Sequence, residues 1–163
     1  MTRIVVTSDT HIPIAAAELP EMLVKDIKKA DMLIHAGDLI DSSVLEILKK
    51  LCPKVIAVKG NMDQGLEGNE LKEKEIIEIG GFRIGITHGR GAPNNLTELL
   101  SEEFKNDKVD MIIFGHSHSA LNKRIGNILF FNPGSPTEKV FSPYNSYGIV
   151  EISDKIKADI IRL

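Results

Sequence analysis

Gly115-His116-Ser117-His118 is where this chain writes its chemistry most plainly. Four apolar residues, Met111-Ile112-Ile113-Phe114, run into it, a glycine opens the chain, and two histidines follow with one residue between them. Imidazole is the commonest metal ligand and the usual proton carrier near neutral pH. Alone, the stretch also reads as a polar turn after a strand. Other segments end in the same way. The apolar run Arg3–Ser8 stops at Asp9 with His11 two residues on, and Met32–Ala36 stops at Gly37-Asp38. Val55–Val58 leads through Lys59 to Gly60-Asn61-Met62-Asp63, and Phe82–Ile86 leads to Thr87-His88-Gly89.

Any one of these residues has an ordinary explanation: Asp9 caps a turn, Asn61-Met62-Asp63 makes one, His88 is a surface polar. Together they do not, because four of the five histidines fall at strand ends beside a carboxylate or an amide. If the strands run parallel, their carboxyl ends share one edge, which is where α/β proteins build their sites. His35 lies inside a predicted strand and is expected in the core or behind the ligands. Asp9, His11, Asp38, Asn61, His88, His116 and His118 form a thiolate-free set of oxygen and nitrogen donors that suits Mn²⁺, Fe, Zn²⁺ or Ni²⁺. That set is too large for one ion and about right for two, with one aspartate bridging. Two ions about 3.5–4 Å apart clamp the attacking and leaving oxygens of an in-line displacement and make hydroxide from water near neutral pH. Phosphoester hydrolysis is the reaction that geometry serves.

The elements that must position these ends follow from periodicity. Apolar residues at Leu19, Met22, Leu23, Ile27 and Ala30 predict a helix over Glu18–Ala30. Val44, Leu45, Leu48 and Leu51 predict another, ending before Pro53, with Ser43 and Glu46 as a capping box. The order strand, helix, strand, helix, strand argues for a parallel α/β sheet. Gly80-Gly81 between Glu75–Ile79 and Phe82–Ile86 predicts a two-residue hairpin. Leu96, Leu99, Leu100 and Phe104 predict one face of a helix over Asn95–Phe104. Short strands at Ala120–Ile125, Asn127–Phe131, Ser146–Ile152 and Lys157–Arg162 look antiparallel in style. Gln64–Glu75 is polar, with Gly65 and Gly68, and is expected to be a mobile surface connection.

Composition bounds the function. The 163 residues are expected to form a single domain over 1–163 that buries roughly 70% of its unfolded surface. A net charge of −3 argues against a general nucleic-acid binder. Cys52 is the only cysteine, which excludes an internal disulfide and a cysteine zinc site. No apolar run nears the ~20 residues of a membrane helix. Met1-Thr2-Arg3 leads straight into the first strand, so a cytoplasmic location without membrane contact is expected.

In order and spacing, Asp9-x-His11, Gly37-Asp38, Gly60-Asn61-x-Asp63, His88-Gly89 and Gly115-His116-Ser117-His118 resemble the calcineurin-like metallophosphoesterases, and the length resembles their small archaeal and bacterial phosphodiesterase branch. The resemblance implies an α/β/β/α sandwich of two mixed β-sheets flanked by helices. It implies one divalent ion, Mn²⁺ foremost, on Asp9, His11, Asp38 and His118, and a second on Asp38, Asn61, His88 and His116. Asp38 is the implied bridge, and a hydroxide between the ions is the implied attacker on phosphorus. Asp38, Asn61 and Asp63 stand nearest the chemistry, Asp63 only as a support behind the ligands.

One position departs from the pattern. Phosphatases of this superfamily commonly carry a histidine directly after the motif asparagine, acting on the leaving group; Met62 stands here instead. A thioether cannot donate a proton. Phosphodiesters or activated esters are therefore expected to be favoured over alkyl monoesters. The competing reading is a non-catalytic protein-binding module on the same fold, because Asp9-Thr10-His11-Ile12-Pro13 and Asn132-Pro133-Gly134-Ser135 also resemble the phosphoesterase-fold subunit of the retromer coat. Its scaffold relatives have substituted ligands, whereas all seven are present here. A phosphomonoesterase is the other alternative. The expected partner is a small phosphoester, since no long insertion builds a surface for a phosphoprotein. Ile12, Pro13 and Ile14 look exposed enough for a partner surface or a homo-oligomer contact. Arg90 is a candidate for a substrate phosphate, and Asn132, Pro133 and Gly134 are expected to shape a turn.

Overall fold

The computed structural model describes residues 1–63, Leu66 and residues 71–163. Of the connection expected over Gln64–Glu75, residues 64, 65 and 67–70 lie outside the described residues, and Lys74 and Glu75 belong to a strand instead. Strands β1 (Thr2–Thr7), β2 (Met32–His35) and β3 (Val55–Ala57) alternate with helices α1 (Glu21–Ile27) and α2 (Ser42–Leu51). The hairpin β4 (Lys74–Ile79) and β5 (Phe82–Thr87) follows, then a short 3₁₀ turn, helix α3 (Leu96–Glu103) and β6 (Met111–Ile113). Strands β7 (Leu121–Ile125), β8 (Ile128–Asn132), β9 (Ser146–Ile152) and β10 (Ile156–Arg162) complete the chain.

These strands make two five-stranded sheets, β10-β9-β1-β2-β3 and β4-β5-β6-β8-β7. The parallel reading holds for β1 with β2 and β2 with β3. The antiparallel reading of the second half holds for β7–β8 and β9–β10, but β8 also pairs with β6, and that pairing is parallel. Ile79 faces Phe82 across Gly80-Gly81, both at positive φ, as a two-residue hairpin needs.

The alternation of side chains explains the layers. Ile4 and Val6 of β1 join Ile34, Ile84, Ile86, Met111, Ile113 and Phe131 in a core between the sheets. Val5 and Leu33 point the other way and pack against Leu23 and Ile27 of α1 and Val44, Leu45 and Leu48 of α2. Ile112 and Phe130 pack likewise against Leu96 and Leu100 of α3. Strands buried on both faces read as unbroken apolar runs. The result is an α/β/β/α sandwich.

Details differ from the sequence reading. α1 is shorter than Glu18–Ala30, and Met22 and Leu99 sit exposed on their helices. Each helix meets a single layer, which covers Leu23 and Ile27 on α1 and Leu96 and Leu100 on α3, and the neighbouring apolar positions Met22 and Leu99 fall outside it. The cap of α2 is Asp41, whose carboxylate accepts from Ser43 N–H at 2.8 Å; Glu46 pairs with Lys49 instead. Ile12 is buried, bridging to Ile40, so only Pro13 and Ile14 of that trio are exposed. Cys52 is a buried free thiol. No helix among the described residues is long and apolar enough to cross a membrane.

Candidate metal centre

The five ligand-bearing ends meet at one end of the sandwich, yet not along one sheet edge. Asp9, His11, Asp38, Asn61 and Asp63 follow β1, β2 and β3 of the first sheet, whereas His88, His116 and His118 follow β5 and β6 of the second. The site is thus closed from both layers. Single side chains cross the gap: His88 Nδ1 donates to the Ala36 carbonyl at 2.7 Å.

Reaching one point from five directions demands backbone that side chains normally avoid. Asp9, His11, Asp38, His116 and His118 all lie at φ between 43° and 69°. Such left-handed residues cost about 1–3 kcal/mol each and persist where the surroundings over-determine them, typically at functional sites. Two glycines allow the closest approaches. A Cβ on Gly60 would collide with Asp38 Oδ1, and one on Gly115 would collide with Ser8 Oγ and lie 2.6 Å from Asp9 Oδ2.

Two groups of candidate ligands emerge. Asp9, His11, Asp38 and His118 each offer one atom, all within 4.8 Å of one another. Ligands on one ion with bonds of about 2.0–2.2 Å sit roughly 3–4.4 Å apart. The second group centres on Asn61 Oδ1, which lies 3.0 Å from His88 Nε2 and 3.3 Å from His116 Nδ1. The imidazoles pair accordingly, His11 edge-on to His118 at 5.0 Å and His88 edge-on to His116 at 5.4 Å. Asp38 stands between the groups. Its Oδ2 is 3.2 Å from His11 Nε2 and 3.4 Å from His88 Nε2, while its Oδ1 accepts from Met62 N–H at 2.8 Å. Asp63 holds this arrangement from behind, accepting from the N–H groups of Asp38, Gly60 and Ile40, each at 2.8 Å.

The donor set fits a cation. Ser8 Oγ and His116 N–H both donate to Asp9 Oδ2, but the buried Oδ1 receives no hydrogen bond; imidazole nitrogens of His118, His11 and His88 stand 3.2, 3.8 and 3.8 Å from it. An orphaned carboxylate oxygen facing three imidazoles is the pattern a positive ion resolves. The same carboxylates shift two of the imidazoles. Burial pulls the His88 imidazole down, yet the Asp38 hydrogen bond and the charges of Asp9 and Asp38 outweigh it and push it up to about 9. His11 is raised by the same balance, burial opposed by Asp38 and Asp9. Burial alone would raise Asp38, but hydrogen bonds from His11 and His88 hold its carboxyl well below the usual range.

His35 is the core histidine expected from the sequence. It is fully buried, with Nε2 3.0 Å from Thr10 Oγ1 and Nδ1 accepting from Gly37 N–H, and burial pushes it down to about 4. Arg90 lines a cleft of about 320 Å³ beside Asn61 and His88, with Lys59 on the same wall. Asn132 turns the chain, accepting from Gly134 N–H, and also donates to the Gly115 carbonyl and Ser117 Oγ, bracing the His116–His118 loop. The sequence reading gave no site role to Ser8, which donates to its neighbour Asp9, or to Ser135, Thr137 and Glu138, which reach Asp9, Thr10 and His11 from far along the chain. The one signal available for Ser135 was its place after Asn132-Pro133-Gly134.

Oxygen and nitrogen ligands gathered by strained turns at one end of an α/β/β/α sandwich define a metallophosphoesterase-type domain. The chain belongs to the calcineurin-like phosphoesterase superfamily, whose domain matches residues 2–155. It is 40% identical over 161 residues to a probable metallophosphoesterase of Methanocaldococcus jannaschii, covering 96% of this chain and 79% of that one. Among solved structures, the Zn²⁺ complex of wild-type Vps29 from Entamoeba histolytica is 28% identical, with a TM-score of 0.80 over 98% of each chain. An archaeal phosphodiesterase, 23% identical with a TM-score of 0.79 over 99% of each chain, shares the fold.

Proposed function

We propose that this chain is a phosphodiesterase acting on small phosphoesters through two divalent ions, Mn²⁺ foremost. Asp9, His11, Asp38 and His118 would hold the first, and Asp38, Asn61, His88 and His116 the second. One observation carries the reading: a single oxygen, Asp38 Oδ2, faces His11 Nε2 at 3.2 Å and His88 Nε2 at 3.4 Å. When bound, such an ion pair supplies hydroxide near neutral pH and clamps the oxygens of an in-line displacement. This chain's residues do the rest. Asp63 fixes Asp38 and Ile40 through their backbone N–H groups, and the Met62 N–H orients the other Asp38 oxygen. Lys59 and Arg90, on the cleft beside Asn61, are suited to hold non-reacting phosphate oxygens.

The diester preference follows from Met62. Met62 follows Asn61, is 44% exposed, and has no proton to give a leaving group. Esters that leave without help are then the substrates of choice. The test is turnover of a phosphoester panel by the Mn²⁺-loaded protein. Faster hydrolysis of alkyl monophosphates than of aryl diesters would overturn the Met62 argument. A second reading, a protein-binding module on this fold, draws on the exposed apolar residues Ile14, Val140 and Phe141 in the loops after His11 and Glu138. Metal uptake without turnover of any ester would favour it.

A further inference from the structure

Residues 135–142 form no regular element, yet four of their side chains reach the first ligand group. Ser135 Oγ donates to the Asp9 carbonyl at 2.7 Å, Thr137 Oγ1 to the Thr10 carbonyl at 2.6 Å, and Ser142 Oγ to the His118 carbonyl at 2.9 Å. Among them, Glu138 places Oε2 3.6 Å from His11 Nδ1, with its side chain only 13% exposed. Apolar packing does not hold the tip of this segment, since Val140 and Phe141 are 77% and 75% exposed. Hydrogen bonds do, and several converge on Glu138. Its Oε1 accepts from Lys139 and Val140 N–H, both at 2.9 Å, and its own N–H donates to Ser135 Oγ at 2.9 Å. Its carbonyl accepts from Asn145 Nδ2 at 2.6 Å. The carboxylate is aimed by the backbone around it.

The two nitrogens of His11 have separate tasks. Nε2 looks into the site, 3.2 Å from Asp38 Oδ2, and Nδ1 looks out at Glu138. A neutral imidazole offers a lone pair to a metal only if its proton sits on the other nitrogen. Two other site histidines turn a nitrogen to a carbonyl: His88 to Ala36 at 2.7 Å and His116 to Gly91 at 2.9 Å. His11 turns its outward nitrogen to a charge.

Resting on the metal reading above, we propose that Glu138 is a positioning residue of the first metal site. Its carboxylate holds the proton on His11 Nδ1, leaves the Nε2 lone pair for the ion, and makes that imidazole a stronger donor. Outer partners of this kind are worth about 10–100-fold in metal affinity. The test is calorimetric titration of the metal-free protein with Mn²⁺, comparing wild type, Glu138→Gln and Glu138→Asp. Glutamine keeps an oxygen for the Lys139 and Val140 N–H groups, and circular dichroism of the metal-free variants checks the fold. Glu138→Gln is expected to bind its first ion about 10–100-fold more weakly, with Glu138→Asp recovering part of the loss. In the Zn²⁺-loaded protein, nitrogen-resolved NMR should show a slowly exchanging His11 Nδ1–H that Glu138→Gln loses. Affinity within about twofold and an unchanged Nδ1–H signal in Glu138→Gln would overturn the proposal alone, as would an aspartate no better than glutamine. A wild-type protein that takes up no Mn²⁺ would overturn it together with the reading it rests on.

Discussion

Met62→His is the substitution that most directly probes how this site treats a leaving group. Met62 donates its backbone N–H to Asp38 Oδ1 at 2.8 Å while its side chain is 44% exposed. The replacement keeps the backbone contact and adds an imidazole where no packing must give way. An exposed position should change stability by less than about 0.5 kcal/mol. At about 2–4 °C per kcal/mol for a chain of this size, the melting temperature should move by no more than about 2 °C. The rate is another matter. A positioned proton donor contributes about 10²–10⁴-fold, or roughly 2.7–5.4 kcal/mol of barrier at 1.36 kcal/mol per decade. That gain falls on esters whose leaving group is basic and nearly vanishes for activated aryl esters. The assay is kcat/KM across leaving groups of rising basicity, with wild type and variant both loaded with Mn²⁺. The wild type should show a steep decline and the variant a shallow one, the two lines meeting at the best leaving groups. Parallel lines, in either direction, would refute the assignment of Met62 as the missing acid.

Three further outcomes follow from the geometry. Stripping divalent ions with a chelator should lower the melting temperature by about 5–11 °C relative to protein at 100 Kd of Mn²⁺, a linkage of about 2.7 kcal/mol readable by differential scanning fluorimetry. Asp63→Ala leaves the N–H groups of Asp38, Gly60 and Ile40 without their acceptor and should cost about 3 kcal/mol or more in urea unfolding. His35 gives a pH dependence: its pKa falls from 6.5 to about 4 on folding, so the unfolded chain takes the proton first. Its contribution is therefore complete above about pH 6.5 and is lost as pH drops towards 4, by about 3 kcal/mol. Urea unfolding at both pH values should show that loss in wild type and not in His35→Gln.

Much of the fold was legible because it rests on local pattern. β1 and β2 read as unbroken apolar runs because helices cover one face and the other sheet covers the second. Gly80-Gly81 marked the hairpin through its turn chemistry. The candidate ligands stood out for a different reason: they follow the ends of five strands, and the structure brings those ends together. What escaped was set by tertiary contact. Periodicity could not separate Met22 and Leu99 from their buried neighbours, because each helix meets only one layer. Ile12 reads as a loop residue until Ile40 is beside it. Two sheets, not one, carry the candidate ligands, since nothing in a strand's own residues says which sheet it joins. Glu138 was invisible for the same reason, being far from His11 along the chain and adjacent to it only once both loops are folded.

Asp38, whose Oδ2 faces both His11 and His88, would be shared by the two proposed ions. Metal analysis of the Mn²⁺-saturated protein, alongside phosphodiester turnover and with Asp38→Ala in parallel, tests that sharing most directly. Two ions per wild-type chain, measurable turnover, and loss of both stoichiometry and rate in the variant are expected. Full activity in Asp38→Ala, or a wild type that saturates at one ion and turns over unchanged, would contradict it.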